Sequence, residues 1–216
     1  EHANDVGVLT SIVLDEPRWR GAALRAHEAN FGRSAANGAL MRVAGLAVAY
    51  APLELEVAIE AARFQAQLTH HDPAAGWGAA IATAMVHRGL NGGTPLDALD
   101  EALAFVDHAD EALFAELLDP SWHPGAEEEL PNGTVWTCLA QATWALRTTS
   151  SFEDCVIAAI ELGGDTDTVA CVAGMLAGAT YGLAAIPERW STVVNGEARS
   201  SRGRLAYDRD GLVDLA

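Results

Sequence analysis

The protein has 216 residues, half of them hydrophobic, which is enough to bury the core of one sizeable domain. Its 30 acidic and 13 basic residues give a net charge of −17, so we expect no binding to nucleic-acid backbones. No signal peptide is visible at the start. Cys138, Cys155 and Cys171 lack metal or redox spacing, which predicts reduced core cysteines in a cytoplasmic protein.

Helical periodicity dominates the sequence. In chain order it predicts helices at 39–50, 53–68, 73–88, from Thr94 to about residue 108, 110–118, 134–146, 151–162, a small-residue helix ending near 182, and 187–190. The one clear loop, 119–133, holds three prolines and an acidic run at 127–129. The tail from Asn195 is polar and predicts a loop with a last short turn. No alternating run predicts a strand. The pattern indicates a single all-α domain over residues 1–216.

The uncharged run at 169–186 is of borderline length for a membrane span. Because it is rich in alanine and glycine, we interpret it as a buried helix and expect no contact with a membrane. Its small residues predict a central helix against which another backbone packs closely.

Residues 161–170 read ELGGDTDTVA, and they precede that small-residue helix. Asp165 and Asp167 cannot share one face of a regular helix, but before a first turn their carboxylates can point to one place. With Thr168 they offer the hard oxygen ligands that Mg²⁺, Mn²⁺ or Ca²⁺ prefer. The alternative is a helix cap, since an acid there gains about 0.3–1 kcal/mol from the helix dipole. The residues themselves leave both interpretations open.

Two further polar segments have capping or ligand-binding residues. GRSAANGALMR, residues 32–42, contains Ser34, Asn37 and Gly38 at the predicted start of a helix, where backbone N–H groups can bind an anion. An ordinary capped helix is the alternative. THHDP, residues 69–73, has adjacent histidines that either bind a ligand or lie exposed in a loop.

Taken in order, three blocks resemble those of the ADP-ribosylglycohydrolase family. They are SAANGALMR, THHDP and the long run NGTVWTCLAQATWALRTTSSFEDCVIAAIELGGDTDTVACVAGMLAGATYGLAAIPERW. The resemblance spans about residues 5–190. It implies a compact orthogonal multi-helix bundle with two divalent cations, Mg²⁺ or Mn²⁺, in a cleft. It also implies cleavage of the bond that joins ADP-ribose to a protein side chain or related acceptor.

The resemblance also implies the site residues. The metal ligands would be Asp165, Asp167 and Thr168. The ADP-ribose site would include Ser34, Ala35, Asn37 and Gly38, whose loop contacts the phosphates and ribose, and His70 rather than His71.

The sequence departs from the family pattern in three ways. Ala36 stands where the family often has glycine, and Arg33 is less usual and adds positive charge near the expected diphosphate. The family's early catalytic acid and its Thr-Asp-Asp triplet do not occur here, so the chain is interpreted as the C-terminal portion of a longer protein. The catalytic acid or base is then expected in the earlier segment, which is cleaved, disordered or carried on another chain. The alternatives are a non-catalytic relative that binds ADP-ribose or serves a structural role, and a different metal-dependent hydrolase.

Overall fold

The computed structural model describes residues 7–125, 131–200 and 203–214, with only the backbone of residues 108 and 198–200. The acidic run at 127–129 therefore lies outside the described residues. The α-helices are α1 (Val8–Asp15), α2 (Ala22–Ala29), α3 (Ala44–Tyr50), α4 (Leu55–Gln67), α5 (Pro73–Leu90), α6 (Leu99–Leu103), α7 (His108–Leu118), α8 (Val135–Thr148), α9 (Phe152–Glu161), α10 (Thr166–Tyr181), α11 (Glu188–Ser191) and α12 (Arg209–Val213). Short 3₁₀ turns lie at Asn37–Ala39, Pro95–Ala98 and Leu183–Ala185. The predicted helical architecture is confirmed.

Helix α5 is the centre of the bundle. The Asp72 side chain accepts a hydrogen bond from the Ala74 N–H at 3.1 Å, and Pro73 occupies the first turn, so the helix begins where the Asp-Pro boundary predicts. Residues 74–86 are all buried. Helices α3, α4, α8 and α10 pack around α5. The small residues of α5 allow neighbours on every side, so the central helix is α5 and not, as predicted, α10.

Helix α10 buries one face and leaves the other partly open. Ala173 and Ala177 are fully buried, as the small-residue pattern predicts. At Gly174, however, an added Cβ would lie 3.7 Å from the nearest heavy atom, which is ordinary contact. The close approach occurs near the other end, where Gly89 of α5 faces Ala179. In the described part of the chain, no helix is long and apolar enough to span a membrane.

Several local predictions need correction. The predicted helix at 39–50 begins only at Ala44, because residues 37–43 form a 3₁₀ turn and further turns that bury Leu40 and Val43. The helix predicted from Thr94 is a 3₁₀ turn followed by α6, and α7 begins separately after Asp107. Helices α1 and α2 were not predicted, because their short stretches give too few periodic positions.

The tail also differs from the prediction. Strands β1 (Asn195–Ser200) and β2 (Gly203–Asp208) form an antiparallel hairpin in which Asn195 pairs with Asp208. Both strands are exposed where their side chains are described, apart from the half-buried Tyr207. A strand with no buried face has no alternation of hydrophobic and polar residues, and this is why the sequence gave no signal for it.

Candidate functional site

A cleft of about 510 Å³ lies where the loop before α3 meets the first turn of α10. Its walls include residues of α1 and α2 and six of the eight predicted site residues: Asn37, Gly38, His70, Asp165, Asp167 and Thr168. A volume of this size is typical of small-molecule sites. Folding thus brings three polar segments, far apart in sequence, to one cavity.

The Gly-Gly-Asp turn directs the start of α10 into this cleft. Gly163 and Gly164 have φ angles of +77° and +70°, in the left-handed region that residues with a Cβ rarely adopt. Asp165 follows as the N-cap residue, and Thr166 begins the helix. Asp167 is exposed and Thr168 is buried, and both residues line the cleft.

Asn37 connects the early loop to this turn. Its Nδ2 donates to Asp165 Oδ2 at 2.7 Å and to the Asn132 carbonyl at 2.9 Å. The backbone pairing is also continuous, because Asn37 N donates to Gly133 O at 3.0 Å and Val135 N donates to Ala35 O at 2.9 Å. The loop before α3 is thereby fastened to the start of α8.

Burial is the largest single influence on the carboxyl group of Asp165, and alone it would raise the pKa. Hydrogen bonds, first among them the one from Asn37, outweigh burial, so the pKa lies below its ordinary value. The carboxylate is therefore ionised at neutral pH, the form that binds a cation.

Asn132 is the residue of the site that sequence reasoning missed. It is 8% exposed, and its side chain bonds to Gly163, Asp165 and Gln141. The sequence signal was an Asn-Gly pair, which indicates a turn but not which distant segment the amide contacts.

Ser34 and Ala35 lie beside the cleft rather than in its lining. The Ser34 hydroxyl is buried, accepts a hydrogen bond from Asp72 N at 3.0 Å and lies 2.6 Å from His27 Nδ1. It therefore joins α2 and the early loop to the start of α5. A role of Ser34 and Ala35 in ADP-ribose binding stays a prediction.

His70 is buried, and its Nδ1 lies 2.7 Å from Thr69 Oγ1. The ring edge with Cε1 and Nε2 lies next to Gly38, where an added Cβ would be 3.3 Å from both atoms. Burial, and secondarily the charge of Arg42, lowers the pKa of His70 to about 4. The imidazole is thus neutral at physiological pH. His71 is exposed and packs edge-on against His27, outside the cleft lining.

Arg33 also lines the cleft, and its side chain is exposed. Of the described lining residues, it alone has a permanent positive charge, because His70 is neutral. It forms no ion pair with another described residue. The same cavity is also lined by the carboxyl groups of Asp165 and Asp167, so it carries charge of both signs.

Comparison with known proteins decides the family. Residues 2–215 match the family described as ADP-ribosylglycohydrolase. The chain belongs to the ADP-ribosylglycohydrolase family. Its fold matches a solved structure titled "ADP-ribosylglycohydrolase-related protein complex" with a TM-score of 0.70 and 29% identity, covering 97% of this chain and 66% of that one.

Curated members of the family share about a third of aligned residues with the chain. It is 30% identical to the ADP-ribosylhydrolase ARH3 of Mus musculus over 197 residues, covering 74% of this chain and 53% of that protein. It is 34% identical to the ADP-ribosyl-[dinitrogen reductase] glycohydrolase of Rhodospirillum rubrum over 158 residues, covering 72% and 49%. The chain therefore spans about half the length of these ADP-ribosylglycohydrolase relatives.

The residues of this ADP-ribosylglycohydrolase domain fit part of a metal site. Asp165, Asp167 and Thr168 bring carboxylate and hydroxyl oxygens to one cleft, and these are donors that Mg²⁺ and Mn²⁺ prefer. Among the described residues, no group of three His, Cys, Asp or Glu side chains is placed to hold a metal. Since such cations take about six ligands, these three oxygens are a partial set.

Proposed function

We propose that the protein is a metal-dependent hydrolase that removes ADP-ribose from a modified protein side chain or a related acceptor. The observation that carries the proposal is the one cleft that Asn37, Gly38 and His70 line together with Asp165, Asp167 and Thr168. Family membership supports the reaction class, because the matched relatives are named ADP-ribosylhydrolases and glycohydrolases. A single domain in the cytoplasm, with no membrane contact, remains our expectation.

The reaction is hydrolysis at the ribose anomeric carbon. Water adds to this carbon, the C–N or C–O bond to the acceptor breaks, and a proton passes to the leaving group, so that ADP-ribose and the unmodified acceptor are released. The transition state carries positive charge on the sugar, as in other glycosidases.

We assign Asp165, Asp167 and Thr168 as part of the ligand set that would hold two divalent cations, Mg²⁺ or Mn²⁺. When bound, such a cation would supply positive charge that orients sugar hydroxyl groups and favours ionisation of water. Asn37 keeps the Asp165 carboxylate in place by the hydrogen bond to Oδ2. The general acid or base is not assigned to any described residue.

His70 and Arg33 are proposed to bind ADP-ribose. If the Thr69 hydroxyl donates to Nδ1 of His70, the imidazole proton lies on Nε2, which can donate to a ligand oxygen from beside Gly38. Because the His70 pKa is about 4, this donor stays neutral over the physiological range. The exposed Arg33 guanidinium supplies the positive charge that a diphosphate needs.

The test measures ADP-ribose release from ADP-ribosyl-arginine and ADP-ribosyl-serine peptides, with Mg²⁺, with Mn²⁺ and with EDTA. We expect release that requires metal and that falls about 100-fold in Asp167→Asn, because several kcal/mol of charge stabilisation are lost. Glu161→Gln is the matched control, since it removes an exposed carboxylate outside the cleft. Full activity of Asp167→Asn, or full activity in EDTA, would contradict the assignment. ADP-ribose binding without release in any metal would support the non-catalytic alternative.

A further inference from the structure

Asn132 lies next to the turn that precedes α10. Both N–H groups and the oxygen of its side-chain amide form hydrogen bonds. Its Oδ1 accepts from the Asp165 N–H at 2.9 Å. Its Nδ2 donates to the Gly163 carbonyl at 2.8 Å and to Gln141 Oε1 at 3.0 Å. The side chain therefore spans the Gly-Gly-Asp turn and ties it to helix α8.

These partners dictate an asparagine. A backbone N–H can only donate and a carbonyl can only accept, so the amide has one orientation in which all three bonds form. An aspartate would present a second acceptor to the Gly163 carbonyl, and an alanine would remove both the donor to that carbonyl and the acceptor of the Asp165 N–H. Both the oxygen and the nitrogen of the Asn132 amide thus pair with backbone groups of this turn.

Gly164 gives an independent sign of the same fit. A Cβ built on Gly164 would lie 2.9 Å from Asn132 Nδ2 and 3.0 Å from Asn132 Cγ, and closer still to Oδ1. Gly163, with a similar positive φ, has nothing within 4 Å of its Cβ position. The two glycines share the backbone requirement, and only Gly164 also makes room for Asn132.

The Asn132 main chain extends the network to the carboxylate. Its carbonyl accepts from Asn37 Nδ2, and the same Asn37 nitrogen donates to Asp165 Oδ2. The Asn132 side chain therefore holds the backbone of Asp165. The Asn132 main-chain carbonyl positions the side-chain amide of Asn37, which in turn holds the Asp165 carboxylate. Residues that hydrogen-bond to a metal-binding side chain fix its orientation, and removing such a residue commonly lowers metal affinity by about 10- to 100-fold.

We propose that Asn132 is a positioning residue that fixes the Gly163–Asp165 turn and thereby orients the Asp165 carboxylate toward a divalent cation. The inference rests on the proposed function for the metal ligands, but it concerns a residue that touches neither the metal nor the reacting bond. Asn132 does not line the cleft. Its effect passes through Asp165.

The first test compares Mn²⁺ binding by the parent protein and by Asn132→Ala, with free Mn²⁺ measured by electron paramagnetic resonance. We expect Asn132→Ala to bind Mn²⁺ about 10- to 100-fold more weakly. Hydrogen exchange of the Asp165 amide, followed without metal, is expected to become faster, because the acceptor at 2.9 Å is gone. Circular dichroism and thermal unfolding establish that the variant is folded.

The second test uses the two glycines as a matched pair. Gly163→Ala and Gly164→Ala both place an alanine at a positive φ, so the conformational penalty is similar in each. Only Gly164→Ala displaces Asn132. We expect Mn²⁺ affinity to fall about tenfold or more in Gly164→Ala and to stay within about threefold of the parent in Gly163→Ala.

The outcomes separate this inference from the proposed function. Parent-like Mn²⁺ affinity in folded Asn132→Ala, unchanged exchange of the Asp165 amide, or equal losses in the two glycine variants would each overturn the positioning role. A parent protein that binds Mn²⁺ but releases no ADP-ribose would overturn the proposed function and leave the positioning role standing. A parent protein that binds no Mn²⁺ would overturn the metal assignment and this inference together.

Discussion

The close approach of α5 and α10 makes a quantitative prediction for Gly89→Ala. An added Cβ would lie 2.8 Å from the Ala179 carbonyl oxygen and 2.9 Å from Ala179 Cβ. Distances below 3.0 Å are essentially absent for real Cβ atoms, and neither the backbone nor a Cβ can rotate away. The two helices must therefore separate by several tenths of an ångström.

Such overpacking costs about 1–3 kcal/mol. Replacing glycine by alanine in a helix interior stabilises the folded state by up to about 1 kcal/mol. The gain is smaller at Gly89, because it is the penultimate residue of α5. The net expectation is that Gly89→Ala lowers the free energy of unfolding by about 1–2 kcal/mol. In a protein of this size that corresponds to about 2–8 °C in Tm.

Gly174→Ala is the matched control. It lies inside α10, and its added Cβ would meet Val156 at 3.7 Å, an ordinary contact. The helix preference then dominates, and we expect the free energy of unfolding to rise by about 0.5–1 kcal/mol.

Urea unfolding followed by circular dichroism measures both variants. A second variant in the Gly89→Ala background, Ala179→Gly, removes the Cβ contact but leaves the carbonyl contact, so it should restore only part of the loss. If Gly89→Ala is as stable as the parent, or if both glycine variants shift stability in the same direction, the steric reasoning is refuted.

Three other predictions concern a buried histidine, a charged residue of the cleft and a close packing contact. Because burial lowers the pKa of His70 from its ordinary value of about 6.5 to about 4, the unfolded chain binds a proton between these pH values that the folded chain does not bind. Stability should therefore fall by up to about 3 kcal/mol as pH drops from 6.5 to 4, and urea midpoints should show a shallower fall in His70→Gln. Arg33→Gln should weaken ADP-ribose binding about three- to tenfold in calorimetry, with a smaller difference at high salt; a loss independent of salt would argue against a charge contact. Gly78→Ala should destabilise the protein because its Cβ would overlap Val135 Cγ2, and the double variant with Val135→Ala should be less destabilised than the sum of the two single changes in urea titrations.

Local sequence signals predicted much of the helical framework. The caps at Asp72, Thr134 and Ser151 each accept a backbone hydrogen bond at the start of a helix, at 3.1, 3.5 and 3.0 Å. These bonds join residues two or three apart, so the sequence carries them in full. The exposed β1–β2 hairpin and the short helices α1 and α2 lacked such signals.

The cysteines illustrate where a periodic pattern stops. Cys138 and Cys155 are buried, as predicted, and burial raises the pKa of both thiols. Cys171 lies in an equally apolar run but is exposed, so the core prediction is wrong for it. The pattern marks a residue as apolar, whereas its burial depends on whether another element covers that side of α10.

For the site, the sequence by itself determined which residue types stand at the turn before α10, since two glycines followed by Asp165, Thr166 and Asp167 put carboxyl and hydroxyl groups at a helix start, a pattern that fits a helix cap as well as a metal site. It also carried the family, because three blocks occur in the family's order. Only the tertiary structure decided that Asn37 and His70 face the same cleft, that Ser34 turns its hydroxyl inward, and that Asn132 holds the turn. The reason is physical: caps and turns depend on neighbours in the chain, whereas a carboxylate 128 residues from its amide partner is placed only by the packing of the helices between them.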